Sequence, residues 1–239
     1  MIYNLDREIL ESGDIMSKKL SIFDITGPIM IGPSSSHTAG ACRLGFSARK
    51  ILGEEVKSIT FHLYGSFKAT LEGHGTDRAL LGGVLGFLPD DERIKDSFKI
   101  ANERNVKYKF VKEDEQPDHP NTVKIELIGK SNRKRTIKGQ SVGGGNILIT
   151  QIDQTNLQID GKYDTLVTRH WDRVGIVQEV TGILYKNNIN IAQMSLYRED
   201  VNDRAYMIID VDDKINPECL EAVLAVEKME YAIIIEKLY

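Results

Sequence analysis

The 239-residue sequence has only two cysteines, Cys42 and Cys219, and they lie far apart in the chain. A disulfide framework is therefore not expected. Neither cysteine belongs to a run of Cys and His with the spacing of a metal-ligand motif. We therefore expect this chain by itself to supply no metal site.

Long apolar runs and a strong charge of either sign are also missing. No run approaches the roughly 20 apolar residues that span a bilayer, and the N-terminal "MIYNLDREILESGDIMSKKL" mixes acids and bases where a signal peptide would be apolar. A cytoplasmic protein without membrane contact is expected. The net charge of -4 offers no general attraction to nucleic acid. The basic stretch "KSNRKRTIK" lacks interleaved aromatic residues, so we interpret it as a solvated hairpin.

The apolar residues that are present predict two groups of elements. The first group has helices at about 38–52, 66–87 and 90–105, and strands at 56–65, 106–111, 122–128, 135–139 and 147–152. The polar stretch "QIDQTNLQIDGKYDT" then predicts a boundary near Gly161. The domains are therefore expected at 1–160 and 161–239.

After this boundary the pattern predicts strand, helix, strand, strand, helix, strand. This is the order of the ferredoxin-like fold, in which two helices cover one face of a four-stranded antiparallel sheet. The predicted class is α+β, with an α/β-type N-terminal domain and a ferredoxin-like βαββαβ C-terminal domain.

The stretch "GPSSSHTAG" places five consecutive side chains that can donate hydrogen bonds at the start of the first predicted helix. One serine is enough to cap the first free amides. The excess of hydroxyls would also suit an anion, because a helix N-terminus carries about half a positive charge. The residues alone leave both interpretations open.

The C-terminal unit resembles an ACT domain, a small regulatory module that binds an amino acid at a domain interface in many metabolic enzymes. The resemblance rests on "DRVGIVQEVTGIL" and "NNINIAQMS" and covers about 163–239. The usual Asp-x-Pro-Gly of that family is Asp-Arg-Val-Gly here. The resemblance implies an effector site formed by Asp172, Gly175, Ile176, Asn188 and Asn190, with backbone amides for a carboxylate and asparagines for an amino group. It also implies self-association through this domain, and a unit that serves only to dimerise, without an effector, is the alternative.

The N-terminal unit resembles the beta chain of the bacterial iron–sulfur-dependent L-serine dehydratase. Three motifs in the same order carry this resemblance: "SIFDITGPIMIGPSSSHTAGACRLG", "GHGTDRALLGG" and "SVGGGNI". The family removes water from L-serine and yields pyruvate and ammonia. The resemblance implies an alpha chain as partner, and a four-iron four-sulfur cluster that is ligated by that alpha chain rather than by this one.

The resemblance also assigns roles within these motifs. The reaction that the resemblance implies needs a base, and His37 is the first candidate for the base or a substrate contact, with a purely structural role as the alternative. His74 is the second candidate. The implied substrate contacts are Ser34, Ser35, Ser36, Thr38, His74, Gly143, Gly144 and Gly145. The glycines could equally form a plain turn between strands. His62 fits a packed strand position, His119 an exposed loop, and His170 the regulatory unit.

A regulatory subunit and a dinucleotide-binding enzyme are the two alternative functions. A purely regulatory subunit would use the serine run to sense an amino acid, since the same architecture resembles the allosteric substrate-binding domain of some phosphoglycerate dehydrogenases. A dinucleotide-binding enzyme would need G-x-G-x-x-G directly after a strand, and "GHGTDRALLGG" has another spacing. We therefore set the dinucleotide interpretation aside.

Overall fold

A computed structural model of the protein describes residues 29–200 and 203–237. The N-terminal part of the chain, up to residue 160, contains the strands β1 (Val56–Leu63), β2 (Lys107–Lys112), β3 (Thr122–Gly129), β4 (Lys134–Gly143), β5 (Asn146–Ile152) and β6 (Thr155–Ile159). They form one sheet in the order β2-β1-β3-β4-β5-β6. Strands β1 and β2 are parallel, and the other neighbouring strands are antiparallel.

Helices bury one face of this sheet, since every second residue of β1 from Ile59 to Leu63 is buried. They are a π-helix (Ser35–Gly40), α1 (Ala41–Leu52), α2 (Gly65–Ala69), α3 (Thr76–Val84), a 3-10 helix (Glu92–Asp96) and α4 (Ser97–Glu103). In the part of the chain that the structure describes, no helix is long and apolar enough to cross a membrane.

The C-terminal part of the chain, from residue 164, forms a separate four-stranded antiparallel sheet. Its elements are β7 (Asp164–Trp171), α5 (Ile176–Lys186), β8 (Ile191–Arg198), β9 (Arg204–Val211), α6 (Pro217–Leu224) and β10 (Met229–Ile235). The strand order β10-β7-β9-β8 and the element order βαββαβ are those of the ferredoxin-like fold. The predicted α+β class is confirmed.

The two sheets share a hydrophobic core. The core cluster of the N-terminal sheet also contains four residues of the second sheet, Val167, Tyr206, Ile208 and Tyr231. The Tyr206 hydroxyl donates a hydrogen bond to Asp153 Oδ2 at 3.1 Å, and burial raises the pKa of this phenol. Strand β6 ends at residue 159 and β7 begins at residue 164, so the predicted boundary at 160/161 falls in the link between the sheets.

Three local expectations from the sequence were wrong. The single helix expected at 66–87 is two helices, because the chain turns at Gly73–Gly75 and Gly75 has a left-handed φ of 68°. The polar stretch before residue 160 contains strand β6, whose alternate residues are buried and which follows a turn at Asp153 (φ 52°). The helix expected at 90–105 begins with a 3-10 segment. The N-terminal segment and residues 21–28 of the first motif lie outside the described residues.

Helices α1 and α3 approach each other so closely that glycine is required where they meet. A Cβ added at Gly83 would overlap the backbone carbonyl oxygen of Cys42, and one at Gly45 would overlap that of Leu80. Gly83 of "ALLGG" is therefore explained by this helix contact, whereas a Cβ at Gly82 would crowd the Ser97 hydroxyl. This contact fixes the start of α1, which continues from the serine run.

We expect Gly83→Ala to lower the free energy of unfolding by about 1–3 kcal/mol, because neighbouring backbone cannot move aside as a flexible side chain can. Gly182→Ala in α5 is the matched control. Its Cβ would meet only the Gln178 side chain at 3.8 Å, and alanine favours a helix over glycine by about 1 kcal/mol. Thermal denaturation followed by circular dichroism measures both. A Gly83→Ala melting temperature at or above that of the wild type would contradict the close contact.

Candidate functional site

The serine run forms a π-helix that leads directly into α1. Ser34 has extended backbone angles and caps this helix, since its Oγ accepts a hydrogen bond from the His37 backbone N–H at 3.2 Å. Capping therefore occupies one hydroxyl of the run, as the simpler interpretation expected. π-Helical turns are rare and are frequent at functional sites. The remaining hydroxyls are not needed to cap the helix.

The two glycines that flank the run explain how closely it packs. A Cβ at Gly32, whose φ is 140°, would overlap the Thr38 side chain, and one at Gly40 would overlap Ser141 of β4. The π-helix is thus pressed between its own preceding loop and the sheet. This packing holds His37 and Thr38 in fixed positions.

His37 lies at the centre of the candidate site. Its Nδ1 is 3.2 Å from Ser34 Oγ, and its Nε2 is 2.9 Å from Ser66 Oγ on α2. The ring packs edge-on against Phe67 with 5.6 Å between centroids. Burial, and second the neighbouring His74, lower the pKa of His37. A lowered pKa keeps the imidazole neutral near neutral pH, which is the form that accepts a proton.

His74 lies beside His37, in the turn between α2 and α3. The two imidazole centroids are 5.1 Å apart. The His74 backbone oxygen accepts a hydrogen bond from Thr38 Oγ1 at 3.3 Å. The Nδ1 atom of His74 is buried and has no hydrogen-bond partner among the described residues. The structure therefore brings Ser34, His37, Thr38 and His74 together.

A cleft of about 650 Å³ opens next to this group. Its polar wall consists of Thr38, Glu72, His74, Asp77, Arg78 and Lys95. Among the described residues, the three serines and His37 lie beside this wall rather than in it. Burial raises the pKa of Asp77, whose Oδ1 accepts a hydrogen bond from the Arg78 backbone N–H. A cleft with cations, carboxylates and hydroxyls suits a small zwitterion.

Sequence reasoning missed Ser66, Asp77, Arg78 and Lys95. Asp77 and Arg78 stand in the quoted motif "GHGTDRALLGG", so their proximity to His74 was a usable signal. No sequence signal points to Ser66, because it meets His37 across 29 positions of the chain.

The glycines at 143–145 form the turn between β4 and β5. Their φ values are 103°, 60° and 83°, all left-handed, so the turn itself requires glycine. The Gly145 carbonyl oxygen accepts a hydrogen bond from Arg43 Nη1 of α1 at 2.7 Å. Ser141, just before the turn, packs on Gly40. The turn thus lies beside the end of the π-helix, outside the cleft wall.

The candidate effector residues divide into two groups at opposite ends of α5. Asp172 pairs with Arg198 at 3.0 Å, and Gly175 (φ 89°) precedes the buried Ile176 at the helix start. Asn188 and Asn190 follow the helix end. Asn190 Nδ2 donates a hydrogen bond to Asp212 Oδ2 at 2.6 Å. A helix of 11 residues is roughly 16 Å long, so one copy of the chain does not join the two groups.

The other three histidines have local partners. His62 Nδ1 lies 2.6 Å from Glu113, and its Nε2 lies 3.4 Å from Glu126. His119 Nδ1 accepts a hydrogen bond from the Asn121 backbone N–H. His170 is fully buried in β7, and its Nδ1 lies 3.0 Å from the Trp171 carbonyl oxygen. None of the three is placed at the candidate site by these contacts.

The two cysteines do not fit an iron–sulfur cluster. Cys42 and Cys219 are both buried, and they lie in different core clusters. Burial raises the pKa of Cys42 to about 12, which keeps it a protonated thiol, whereas cluster ligands are thiolates. Within residues 29–200 and 203–237, no group of three or more His, Cys, Asp or Glu could hold a metal ion.

Comparisons with known proteins agree with both resemblances. The family model described as serine dehydratase beta chain matches residues 21–105, and the ACT domain model matches residues 163–228. The probable L-serine dehydratase beta chain of Bacillus subtilis (strain 168) is 43% identical over 204 residues, which are 85% of this chain and 92% of that one.

Two further relatives differ in length. The L-serine dehydratase beta chain of Peptoniphilus asaccharolyticus is 36% identical over 217 residues, covering 90% of this chain and 98% of its own. An L-serine dehydratase of Streptomyces coelicolor is 35% identical over 153 residues, which are 54% of this chain but only 33% of that protein. Most of the Streptomyces protein therefore lies outside the match.

Proposed function

The chain belongs to the family of L-serine dehydratase beta chains, and on this basis we propose that it is one subunit of a two-chain enzyme that converts L-serine to pyruvate and ammonia. The observation that carries this proposal is the grouping of His37, Thr38 and His74 beside a cleft that bears charges of both signs. L-Serine is a zwitterion of suitable size and polarity. The test is pyruvate formation from L-serine by the two chains together.

The chemistry assigns a role to each part of the site. Loss of water from L-serine requires removal of the α-proton and departure of the β-hydroxyl, and the enamine product then hydrolyses to pyruvate and ammonia. His37 accepts the α-proton at Nδ1, in place of its hydrogen bond with Ser34, while Ser66 keeps its contact with Nε2. Its lowered pKa leaves the imidazole neutral and able to do so. The hydroxyls of Ser35, Ser36 and Thr38, at a helix start, bind the substrate carboxylate. His74 is a further substrate contact.

The glycine turn has a less direct role in this proposal. Gly143, Gly144 and Gly145 lie next to the π-helix and expose backbone groups without side chains. We propose that this turn contacts either the substrate or the partner chain where the partner closes over the site. Its position outside the cleft wall favours contact with the partner chain over contact with the substrate.

The cofactor is proposed to lie in the partner chain. A four-iron four-sulfur cluster needs thiolate ligands, which the two buried cysteines of this chain do not supply. The Streptomyces relative supports a partner, since a single protein there carries the matching region within a longer chain. The alpha chain would supply both the cluster and the group that acts on the β-hydroxyl.

The ACT domain is proposed to regulate the enzyme and to join two copies of this chain. Asp172, Gly175 and Ile176 of one copy would bind an amino-acid effector together with Asn188 and Asn190 of the second. Strand β8 is the open edge of the sheet and exposes Met194 and Leu196. The β10 edge lies beside α1, where Lys50 pairs with Glu236 at 3.5 Å. Open edges commonly pair with another chain.

We expect the wild-type chain to form dimers or larger assemblies, and Met194→Glu to dissociate them, because a charge on an edge strand opposes pairing. Multi-angle light scattering over a range of concentrations measures the mass. Tyr185→Glu is the matched control, since Tyr185 is 81% exposed and lies on α5 rather than on β8. A monomeric wild type at every concentration would contradict self-association. Dissociation by Tyr185→Glu alone would place the contact on the helices.

A purely regulatory subunit is the alternative function. It would use the same cleft to bind an amino acid without taking part in the reaction. Variants of His37 separate the two, because a sensor residue changes only the dependence on serine concentration, whereas a base changes the rate at saturating substrate.

A further inference from the structure

The His37 imidazole is held at both ring nitrogens by serine hydroxyls from different parts of the chain. Ser34 Oγ lies 3.2 Å from Nδ1, and Ser66 Oγ lies 2.9 Å from Nε2. Ser34 is also the helix cap, so its position is explained without reference to the imidazole. Ser66 has no such capping role, and its short contact with Nε2 needs another explanation.

The backbone around Ser66 fixes the position of its hydroxyl. Gly65 before it has a left-handed φ of 50°, and a Cβ there would crowd the backbone of Pro120. The Ser66 N–H donates a hydrogen bond to the Pro120 carbonyl oxygen at 2.7 Å. The Ser66 carbonyl oxygen accepts one from Thr70 Oγ1 at 2.8 Å. Ser66 is thus tied on both sides and presents its Oγ to the imidazole from a rigid support.

We propose that Ser66 is the positioning residue for His37, and that it supports both the neutral and the protonated imidazole through Nε2. A hydroxyl can donate a hydrogen bond to a bare ring nitrogen or accept one from a ring N–H by rotating its own hydrogen. The pair Ser34 and Ser66 therefore fits either neutral tautomer, and also the cation that forms when His37 takes up a proton. This inference rests on the proposed role of His37 as the base.

The groups that face the ring decide the direction of the effect on its pKa. His74 is the titratable neighbour that acts on His37. Ser34, Ser66 and Phe67 are uncharged, and Asp77 and Arg78 lie further along in the cleft wall. Removing the Ser66 hydroxyl leaves the Nε2–H of the cation without this acceptor. The charged form loses support, so the pKa of His37 falls further.

The decisive measurement needs no enzymatic activity. The isolated full-length chain, labelled with ¹⁵N on histidine, gives two-bond ¹H–¹⁵N correlation spectra that report the tautomer and the pKa of each ring. His37 is assigned by its loss in His37→Gln. We expect Ser66→Ala to lower the His37 pKa by about half a unit to one unit and to change its tautomer balance, because a hydrogen bond to the cation is lost. Ser66→Thr keeps the hydroxyl and should restore both.

Kinetics with the partner chain separate this inference from the proposed function. Ser66→Ala should lower kcat on the order of tenfold to a hundredfold with KM changed little, since a misplaced catalytic group can cost about 10²-fold, and Ser66→Thr should recover most of it. An unchanged tautomer and pKa in a folded Ser66→Ala would overturn the positioning role. If Ser66→Ala changes the tautomer or pKa of His37 but leaves kcat unchanged, His37 is not the base. Ser66 then has no part in the reaction either.

Discussion

Replacement of His37 by alanine should lower kcat for L-serine by about 10² to 10⁴, the usual contribution of a positioned base. The expectation rests on an imidazole that is held at both nitrogens and kept neutral by burial and by His74. Steady-state pyruvate formation by the reconstituted two-chain enzyme measures it. Thermal melts of the variant verify that the fold is intact.

Ser36→Ala is the matched control for this experiment. It removes a proposed carboxylate contact from the same π-helix while the capping serine, Ser34, stays in place. Loss of one hydrogen bond should cost about 0.5–1.5 kcal/mol, so KM should rise by about twofold to twelvefold with little change in kcat. If His37→Ala changes only the dependence on serine concentration, the sensor function replaces the catalytic one.

The pH profile gives a second test of the same residue. A base works in its neutral form, so the rate falls as the pH drops through its pKa. Because burial and His74 lower the pKa of His37, the acid limb of kcat/KM should lie below the ordinary histidine value of about 6.5. An acid limb at or above that value would contradict the assignment.

The isolated chain should be colourless and should form no pyruvate from L-serine, even after anaerobic reconstitution with iron and sulfide. The two buried thiols lie in different cores and cannot serve together as cluster ligands. Activity should appear only when the alpha chain is added under anaerobic conditions. Visible absorption spectra and a pyruvate assay on each chain and on the mixture measure this.

A double variant with Cys42→Ala and Cys219→Ala is the control for the prediction on the isolated chain. It should support full activity with the alpha chain, since neither thiol is assigned to the reaction or to the cluster. Broad visible absorption of a cluster in the isolated wild-type chain, together with pyruvate formation, would overturn the two-chain assignment. Loss of cluster absorption in the double variant complex would place ligands in this chain.

The sequence by itself determined the class of the fold and the arrangement of the second sheet. Apolar patterning sufficed there because α5 buries residues at helical spacing, whereas β7 and β9 are buried on both faces and appear as continuous apolar runs. Its first helix, predicted as the second element of the strand, helix, strand, strand, helix, strand pattern, is present as Ile176–Lys186. The excess of hydroxyls at the start of the first helix was also visible in the sequence.

Where the sequence misled, the cause was packing between segments. Strand β6 was missed because its polar residues hide the alternation of Thr155, Leu157 and Ile159, which are buried in a strand that pairs with β5. The turn at 73–75 was missed because glycines in a helical pattern can equally reflect close packing, as they do at Gly83. Strand β6 and the turn at 73–75 both depend on tertiary contacts between segments of the chain.

Only the tertiary structure decided which polar residues share a site. It placed Ser66 on the ring of His37 and His74 beside it, and it showed that Ser34 rather than its neighbours caps the helix. It also separated Asp172 from Asn190 by the length of α5. The physical reason is that hydrogen-bond partners are chosen by distance and direction in space, whereas the sequence records only the residue types that are able to pair.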